Sequence, residues 1–246
     1  MFSLRLSQAL DWLYPPRCRY CRESISKDED YFCHACWAKI RLVSPPLCTR
    51  CGRPFLDAGG DDHLCGACLM HAPYFEKARS WACYPSEESE GHPLREIVQR
   101  FKYRRKVSLG KPLGRLMARG CYSFLSGCPV DLVIPVPLHP KRLRWRGFNQ
   151  AVILAREVGR LWKLPVDPFI LVRSRETPPQ TQLAEEERRK NMRGAFSLNP
   201  AKPVDAKTIL LVDDVYTSGA TVNECSRTLL RAGAKEVYVL TLARTV

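Results

Sequence analysis

The run Ile209-Leu210-Leu211-Val212-Asp213-Asp214-Val215-Tyr216-Thr217-Ser218-Gly219-Ala220-Thr221 carries the deciding pattern of the chain: an apolar strand, paired acids, a loop of small residues and the start of a helix. Consecutive apolar residues rich in Ile, Leu and Val predict a strand buried on both faces, from Thr208 to Val212. Two carboxylates end it, and a loop of hydroxylated residues with one Gly opens a helix expected over Ala220 to Ala232. Amide N–H groups at a helix start, aligned with its dipole and joined by the hydroxyls of Thr217, Ser218 and Thr221, make a cradle for an anion. Asp213 and Asp214 stand where they can accept hydrogen bonds from a sugar diol, so the combination fits a ribose 5-phosphate. An ordinary N-cap also uses Asp, Ser or Thr. A cap accounts for one such residue, however, and not for two acids followed by a run of small ones. Neither GxxxxGK with Ser or Thr nor GxGxxG after a strand occurs, which excludes the Walker and Rossmann loops.

Working outward, Lys77 to Tyr84, Asp131 to Val136, Phe169 to Val172 and Glu236 to Leu242 read as further strands. Leu94, Ile97, Val98 and Phe101 form one face of a helix that runs into a basic tail, and Gln150 to Trp162 reads as another helix. Strands alternating with helices predict an α/β fold with a mostly parallel sheet. Ligands in such sheets sit beyond the carboxyl ends of the strands, which points to the loops after residues 136 and 212. His139, Lys141, Arg142, Arg144 and Arg146 follow the first of these. Charge runs are usually solvated, but Arg forks match phosphate oxygens in pairs, and Arg146 is the favoured ligand contact.

Upstream of residue 73 the chain is organised by four CxxC pairs, Cys18/Cys21, Cys33/Cys36, Cys48/Cys51 and Cys65/Cys68, with little periodicity between them. Two knuckles complete a tetrahedral zinc site of four thiolates, so two structural zinc ions are expected, with no open position for catalysis. Pairing the first knuckle with the second and the third with the fourth is the simple arrangement; interleaving is the alternative. His34, His63 and His71 lie nearby but read as surface residues, since the thiolates already suffice. Cys83, Cys121, Cys128 and Cys225 read as small reduced core residues. Before the module, Phe2, Leu6, Leu10 and Leu13 fall at helical spacing, which predicts a short amphipathic helix within residues 1–16. The expected organisation is therefore this helix, a double zinc ribbon over 17–72 and a second unit over 73–246.

The 246 residues carry a formal charge of +14, with 45% hydrophobic and 26% charged residues, which is globular composition. Up to residue 72 there are nine Lys and Arg against eight Asp and Glu, leaving 30 against 17 for the second unit. That field suits a polyanion, a pyrophosphorylated sugar or a nucleic-acid backbone. Arg100-Phe101-Lys102-Tyr103-Arg104-Arg105-Lys106 and Lys141-Arg142-Leu143-Arg144-Trp145-Arg146 interleave cations with aromatics, a composition suited to single-stranded DNA. No apolar run of membrane-spanning length and no secretory leader is seen, so a cytoplasmic protein with reduced cysteines is expected.

The stretch from Ile209 to Thr221 resembles the phosphoribosyl pyrophosphate (PRPP) signature of type I phosphoribosyltransferases. The wider chain is similar to the ComF family of competence-associated proteins. The similarity is carried by the double zinc-ribbon start, Phe101-Lys102-Tyr103, Pro135-Val136-Pro137-Leu138, Arg146-Gly147-Phe148-Asn149-Gln150, and a run of Arg173, Arg175, Thr177, Gln180, Leu183, Arg188 and Asn191. The resemblance implies a type I phosphoribosyltransferase fold, with Asp213 and Asp214 at the ribose hydroxyls. It implies that Val215 and Tyr216 also belong to the PRPP site and that Thr217, Ser218, Gly219, Ala220 and Thr221 hold the 5-phosphate. Magnesium would accompany PRPP, the loop after Pro137 would lie near the pyrophosphate, and the segment from Arg173 to Asn191 would hold a closing loop. Ser218 stands where Thr is commoner; both offer a hydroxyl. The reaction implied is displacement of pyrophosphate by a nitrogen nucleophile, with single-stranded DNA and the DNA-uptake machinery as further partners. A DNA-binding accessory protein whose PRPP site is regulatory or vestigial is the competing reading.

Overall fold

The computed structural model describes residues 15–26, 31–56, 59–86, 89, 91–125, 127–176 and 191–246. Phe2 to Leu13 of the expected amphipathic helix, and Thr177, Gln180, Leu183 and Arg188, lie outside them.

The ribbon module contributes two short helical turns, α1 (His34–Trp37) and α2 (Gly66–Met70). The remainder runs β1 (Lys77–Cys83), α3 (Pro93–Tyr103), α4 (Gly110–Gly120), β2 (Leu132–Pro135), α5 (Pro140–Arg146), α6 (Gln150–Trp162), β3 (Leu171–Arg173), β4 (Phe196–Leu198), β5 (Thr208–Tyr216), α7 (Ala220–Arg231) and β6 (Glu236–Arg244). Four strands form one all-parallel sheet in the order β1-β6-β5-β2, so every carboxyl end opens on the same edge of the molecule.

β5 is central because it is apolar on both sides. Leu210 and Val212 face the layer of α3, α4 and α6, while Ile209 and Leu211 face α7, and all four are fully buried. At about 1.5–3 kcal/mol for each large aliphatic side chain, this strand anchors both halves of the core. The two cysteine clusters divide between the same layers: Cys18 and Cys36 pack with α3 and α4, and Cys48, Cys51, Cys65 and Cys68 pack on the α7 side. The chain between them crosses the open edge of β1, where Val43 N–H donates to the Trp81 carbonyl at 3.1 Å and Cys83 N–H to the Arg41 carbonyl at 2.8 Å. The ribbon thus covers a sheet edge that would otherwise present unpaired backbone groups.

Local signals explain the helix starts at the functional end. His92 caps α3, accepting from Leu94 N–H, and Pro93 takes the first position, where no N–H is needed. Asn149 caps α6 through Ala151 N–H at 2.9 Å and donates from Nδ2 to the Val136 carbonyl at 3.0 Å, tying that helix to the end of β2.

Three expectations need correction. Phe169 to Val172 was expected as a strand of the alternating series; the strand is Leu171–Arg173, and it pairs antiparallel with β4 in a separate two-stranded sheet. The loop expected after Pro137 is short and gives way to a helix: His139 caps α5, Pro140 starts it, and Gly147 ends it with φ of 84°. β5 does not stop at Val212 but continues through both acids to Tyr216, because β6 goes on pairing with it as far as Arg244.

Candidate functional site

A cavity of about 410 Å³ lies across the carboxyl ends of the parallel strands. β5 delivers Asp213, Asp214 and Val215 to it, the turn after β5 delivers Thr217, α7 delivers Thr221, and Arg146 enters from the end of α5. These six sequence-predicted residues are therefore brought together. Asp214 is 4% exposed; its Oδ1 lies 2.7 Å from the ammonium of Lys102, and its Oδ2 is buried with no hydrogen-bond partner. Asp213 Oδ1 accepts from Asp214 N–H at 2.8 Å. Burial, and next the charge of Asp214, push the Asp213 carboxyl up to about 7. The pair therefore keeps one buried acceptor, Asp214 Oδ2, without a donor, and such a group favours a ligand that brings one.

The turn after β5 depends on Gly219, whose φ of 76° is left-handed. It has no side chain to cap α7, and the Ala220 N–H reaches only Ser218 Oγ at 3.4 Å, leaving the helix start without a strong cap. Tyr216, Ser218, Gly219 and Ala220 line not the first cavity but a neighbouring one of about 750 Å³, between this turn and the second cysteine cluster, with Thr217 shared by both. The predicted residues therefore form the wall between two cavities.

On the basic side, Arg146 is 7% exposed, donates from Nη1 to Gln150 Oε1 at 2.5 Å and lies 5.3 Å from the centroid of the Tyr103 ring. Its orientation is fixed before any ligand arrives. The two cation-aromatic segments, 40 residues apart in sequence, meet here: Arg105 Nη2 donates to the Trp145 carbonyl at 2.7 Å, and the Tyr103 and Trp145 rings are 6.2 Å apart and more than half exposed. Phe101 departs from the interleaved pattern; it is fully buried under α6 against Phe148.

The cysteines resolve into two groups, Cys18/Cys21/Cys33/Cys36 and Cys48/Cys51/Cys65/Cys68, with the sulfurs of each within 4.8 Å of one another. This is the sequential pairing. The donor chemistry fits zinc: in the second group Cys51 N–H and Cys65 N–H both point at Cys48 Sγ, at 3.4 and 3.3 Å. Burial raises the Cys48 thiol, but these amides outweigh it and bring it down to about 6; Cys18 is lowered to about 6 in the same way. His34, His63 and His71 belong to neither group. Arg244, 3% exposed, joins the second group to the phosphate-type turn by donating from Nη1 to the Cys51 carbonyl at 2.5 Å.

Lys102 was not singled out from the sequence as a site residue. Its signal was present, since it follows the buried Phe101 at the border of the apolar face of α3, but nothing in a single chain indicates that this border meets Asp214.

Comparison with known proteins agrees with this architecture. The Double zinc ribbon domain family matches residues 9–69, and the Phosphoribosyl transferase domain family matches residues 145–245. The chain is 32% identical to Competence protein F of Haemophilus influenzae over 93% of its own length and 96% of that protein. It is 32% identical to the DNA utilization protein YhgH of Salmonella typhi, over 94% of this chain and 98% of that one. Against Competence protein ComFC of Bacillus subtilis the identity is 24%, covering 89% and 86%. A type I phosphoribosyltransferase fold bearing an N-terminal double zinc ribbon, matched from end to end to these relatives, makes this chain a member of the ComF family.

Proposed function

We propose that the 410 Å³ cavity binds PRPP and that the protein transfers or senses phosphoribosyl groups. The observation that carries this reading is the meeting of Asp214, with one buried oxygen unpartnered, Thr217 and Thr221 at the two ends of the turn, and the pre-oriented Arg146 in one cavity. Asp213 and Asp214 accept from the ribose hydroxyls, the turn takes the 5-phosphate, and Arg146 takes a pyrophosphate oxygen. If transfer occurs, a nitrogen nucleophile attacks the anomeric carbon as its bond to pyrophosphate breaks. The electron pair leaves with pyrophosphate, and Arg146 stabilises the charge that develops there. Asp213 and Asp214 are also the residues that could hold magnesium, whose chemistry would be to neutralise the leaving group. The unpartnered oxygen of Asp214 fits that role.

Calorimetric titration of PRPP, with and without magnesium, tests the assignment. Asp214→Ala is expected to abolish binding and leave the zinc content unchanged; undiminished affinity in that variant would remove the site from this cavity.

A second reading is favoured by the joined track of Tyr103, Trp145, Arg105 and Arg146 at the mouth of the cavity. Exposed rings beside cations suit single-stranded DNA, and the names of the relatives refer to competence and to DNA utilization. We infer a cytoplasmic accessory of DNA uptake, with PRPP bound beside the strand. Among the described residues no helix is long and apolar enough to cross a membrane. Binding of a fluorescent single strand should fall steeply with salt and weaken about tenfold in Trp145→Ala; salt-insensitive binding, or none, removes this reading.

A further inference from the structure

Resting on the PRPP reading of the cavity, we propose that Lys102 is a resident cation of the ligand site, which neutralises Asp214 and lets the ribose 5-phosphate portion of the ligand bind without a divalent metal.

The difficulty this solves is one of charge. Two adjacent carboxylates face a cavity expected to take a sugar bearing several phosphate charges, and like charges in a partly dehydrated space repel strongly. Arg95, Arg142, Arg146 and Arg173 also line the cavity, and the charge of Arg173 reaches Asp213. At the acids themselves, the ammonium of Lys102 is at hydrogen-bond distance, 2.7 Å from Asp214 Oδ1. Side-chain exposures of 18% for Lys102 and 6% for Asp214 keep the pair largely out of water. Burial works to lower the Lys102 pKa, but the charge and hydrogen bond of Asp214, together with the charge of Asp213, outweigh it and the ammonium is held above its ordinary value. The lysine therefore stays charged at any physiological pH.

Geometry separates this from a surface ion pair. Lys102 and Asp214 both line the cavity, and the contact uses only Oδ1, so Oδ2 remains buried and unpartnered. An ammonium has three donors, which allows it to serve the acid and a sugar or phosphate oxygen together. Phe101 fixes the position from behind: it is fully buried against Phe148, so α3 cannot roll Lys102 out of the cavity without opening the core.

The test uses ribose 5-phosphate, which lacks the pyrophosphate, and the full-length zinc-loaded protein in resin-treated buffer, since a chelator would attack the ribbons. Wild type is expected to bind it with the same affinity with and without added magnesium. Lys102→Gln, which keeps a donor toward Asp214 but loses the charge, should weaken binding roughly tenfold or more without magnesium, with most of the loss restored when magnesium is added. Lys102→Arg, which keeps the charge, should stay within about threefold of wild type. Wild-type binding that disappears without magnesium overturns the inference and leaves the PRPP site standing; this outcome needs no variant and does not depend on how either folds. Unchanged binding in Lys102→Gln also overturns it, and tighter binding would make the lysine a plug. If wild type binds ribose 5-phosphate under neither condition, the reading of the cavity fails, and the inference with it.

Discussion

The guanidinium of Arg244 lies 4.9 Å from the centroid of the Tyr216 ring, at the far end of paired strands β5 and β6. The same guanidinium donates to the carbonyl of Cys51, a ligand of the second cysteine cluster, while Thr245 N–H donates to the Tyr216 carbonyl at 3.0 Å. Metal knuckle, arginine, aromatic ring and phosphate-type turn thus form one contiguous stack. Arg244→Met keeps the length but removes the charge and the donor, leaving the Cys51 carbonyl unmet. The expected cost is about 2–3 kcal/mol, seen as a fall in melting temperature of roughly 4–12 °C. PRPP affinity should fall as well, because the ring under the turn loses its support; unchanged melting would show that the stack contributes nothing.

The two clusters should hold zinc unequally. Cys21 is exposed, whereas Cys48, Cys51, Cys65 and Cys68 are all buried. Thiolate ligands are attacked and exchanged where solvent and reagents reach them. Mass spectrometry of the native protein should find close to two zinc ions per chain, and a chromogenic chelator should remove them in two phases, the first from the cluster of Cys21. Cys21→Ser is expected to eliminate the fast phase alone and to leave PRPP binding largely intact, since the stack through Arg244 belongs to the other cluster. A single phase releasing both ions would contradict this.

Asp213 should make the fold pH-dependent in an unusual direction. Its carboxyl is raised from 3.8 to about 7, so between these values the folded chain holds a proton that the unfolded chain has lost. Stability therefore falls as pH rises through that window, with the full penalty present above about pH 7. Asp213→Asn has no such proton to lose. Its melting temperature relative to wild type should climb from about pH 4 to about pH 7, to a gain of several degrees, and then level off. A gap independent of pH would mean that Asp213 titrates normally. PRPP affinity should drop in this variant above about pH 7, where Asp213 is a carboxylate and the neutral amide is a weaker acceptor for the diol.

How much of this was legible depends on whether the cause was local. The strand before the acids, the capped start of α6 and the CxxC knuckles are written in adjacent residues, and sequence patterns place them correctly. The end of β5 was misplaced because Asp213 and Asp214 look like a strand terminus, while the partner that extends it, β6, pairs Asp213 with Thr241 and Tyr216 with Arg244 across the sheet. α4 carries no strong signal, since Gly110 and Gly114 weaken a helical pattern. Its glycines mark close packing instead: a Cβ on Gly114 would stand 2.7 Å from that of Glu157 on α6. Lys102 with Asp214, and Tyr103 with Trp145, are pairs made by folding, and one sequence without its relatives contains no sign of them.

Gly219 offers the sharpest test of the turn itself. Its φ of 76° strains any residue with a Cβ, at about 1–2 kcal/mol. An added Cβ would also run into the Tyr216 hydroxyl and stand 2.6 Å from ring carbon Cζ. Gly219→Ala should therefore displace either the ring or the turn, with a total loss of about 2–4 kcal/mol and PRPP binding reduced beyond what instability explains. The double variants separate the two effects. Tyr216→Phe removes only the hydroxyl and leaves the ring carbon in the way, so it should rescue Gly219→Ala poorly. Tyr216→Leu removes the ring, so the two losses in melting temperature should add to much less than their sum. If the losses are additive with Leu, the ring does not press on the turn, and the strain at Gly219 is that of its backbone alone.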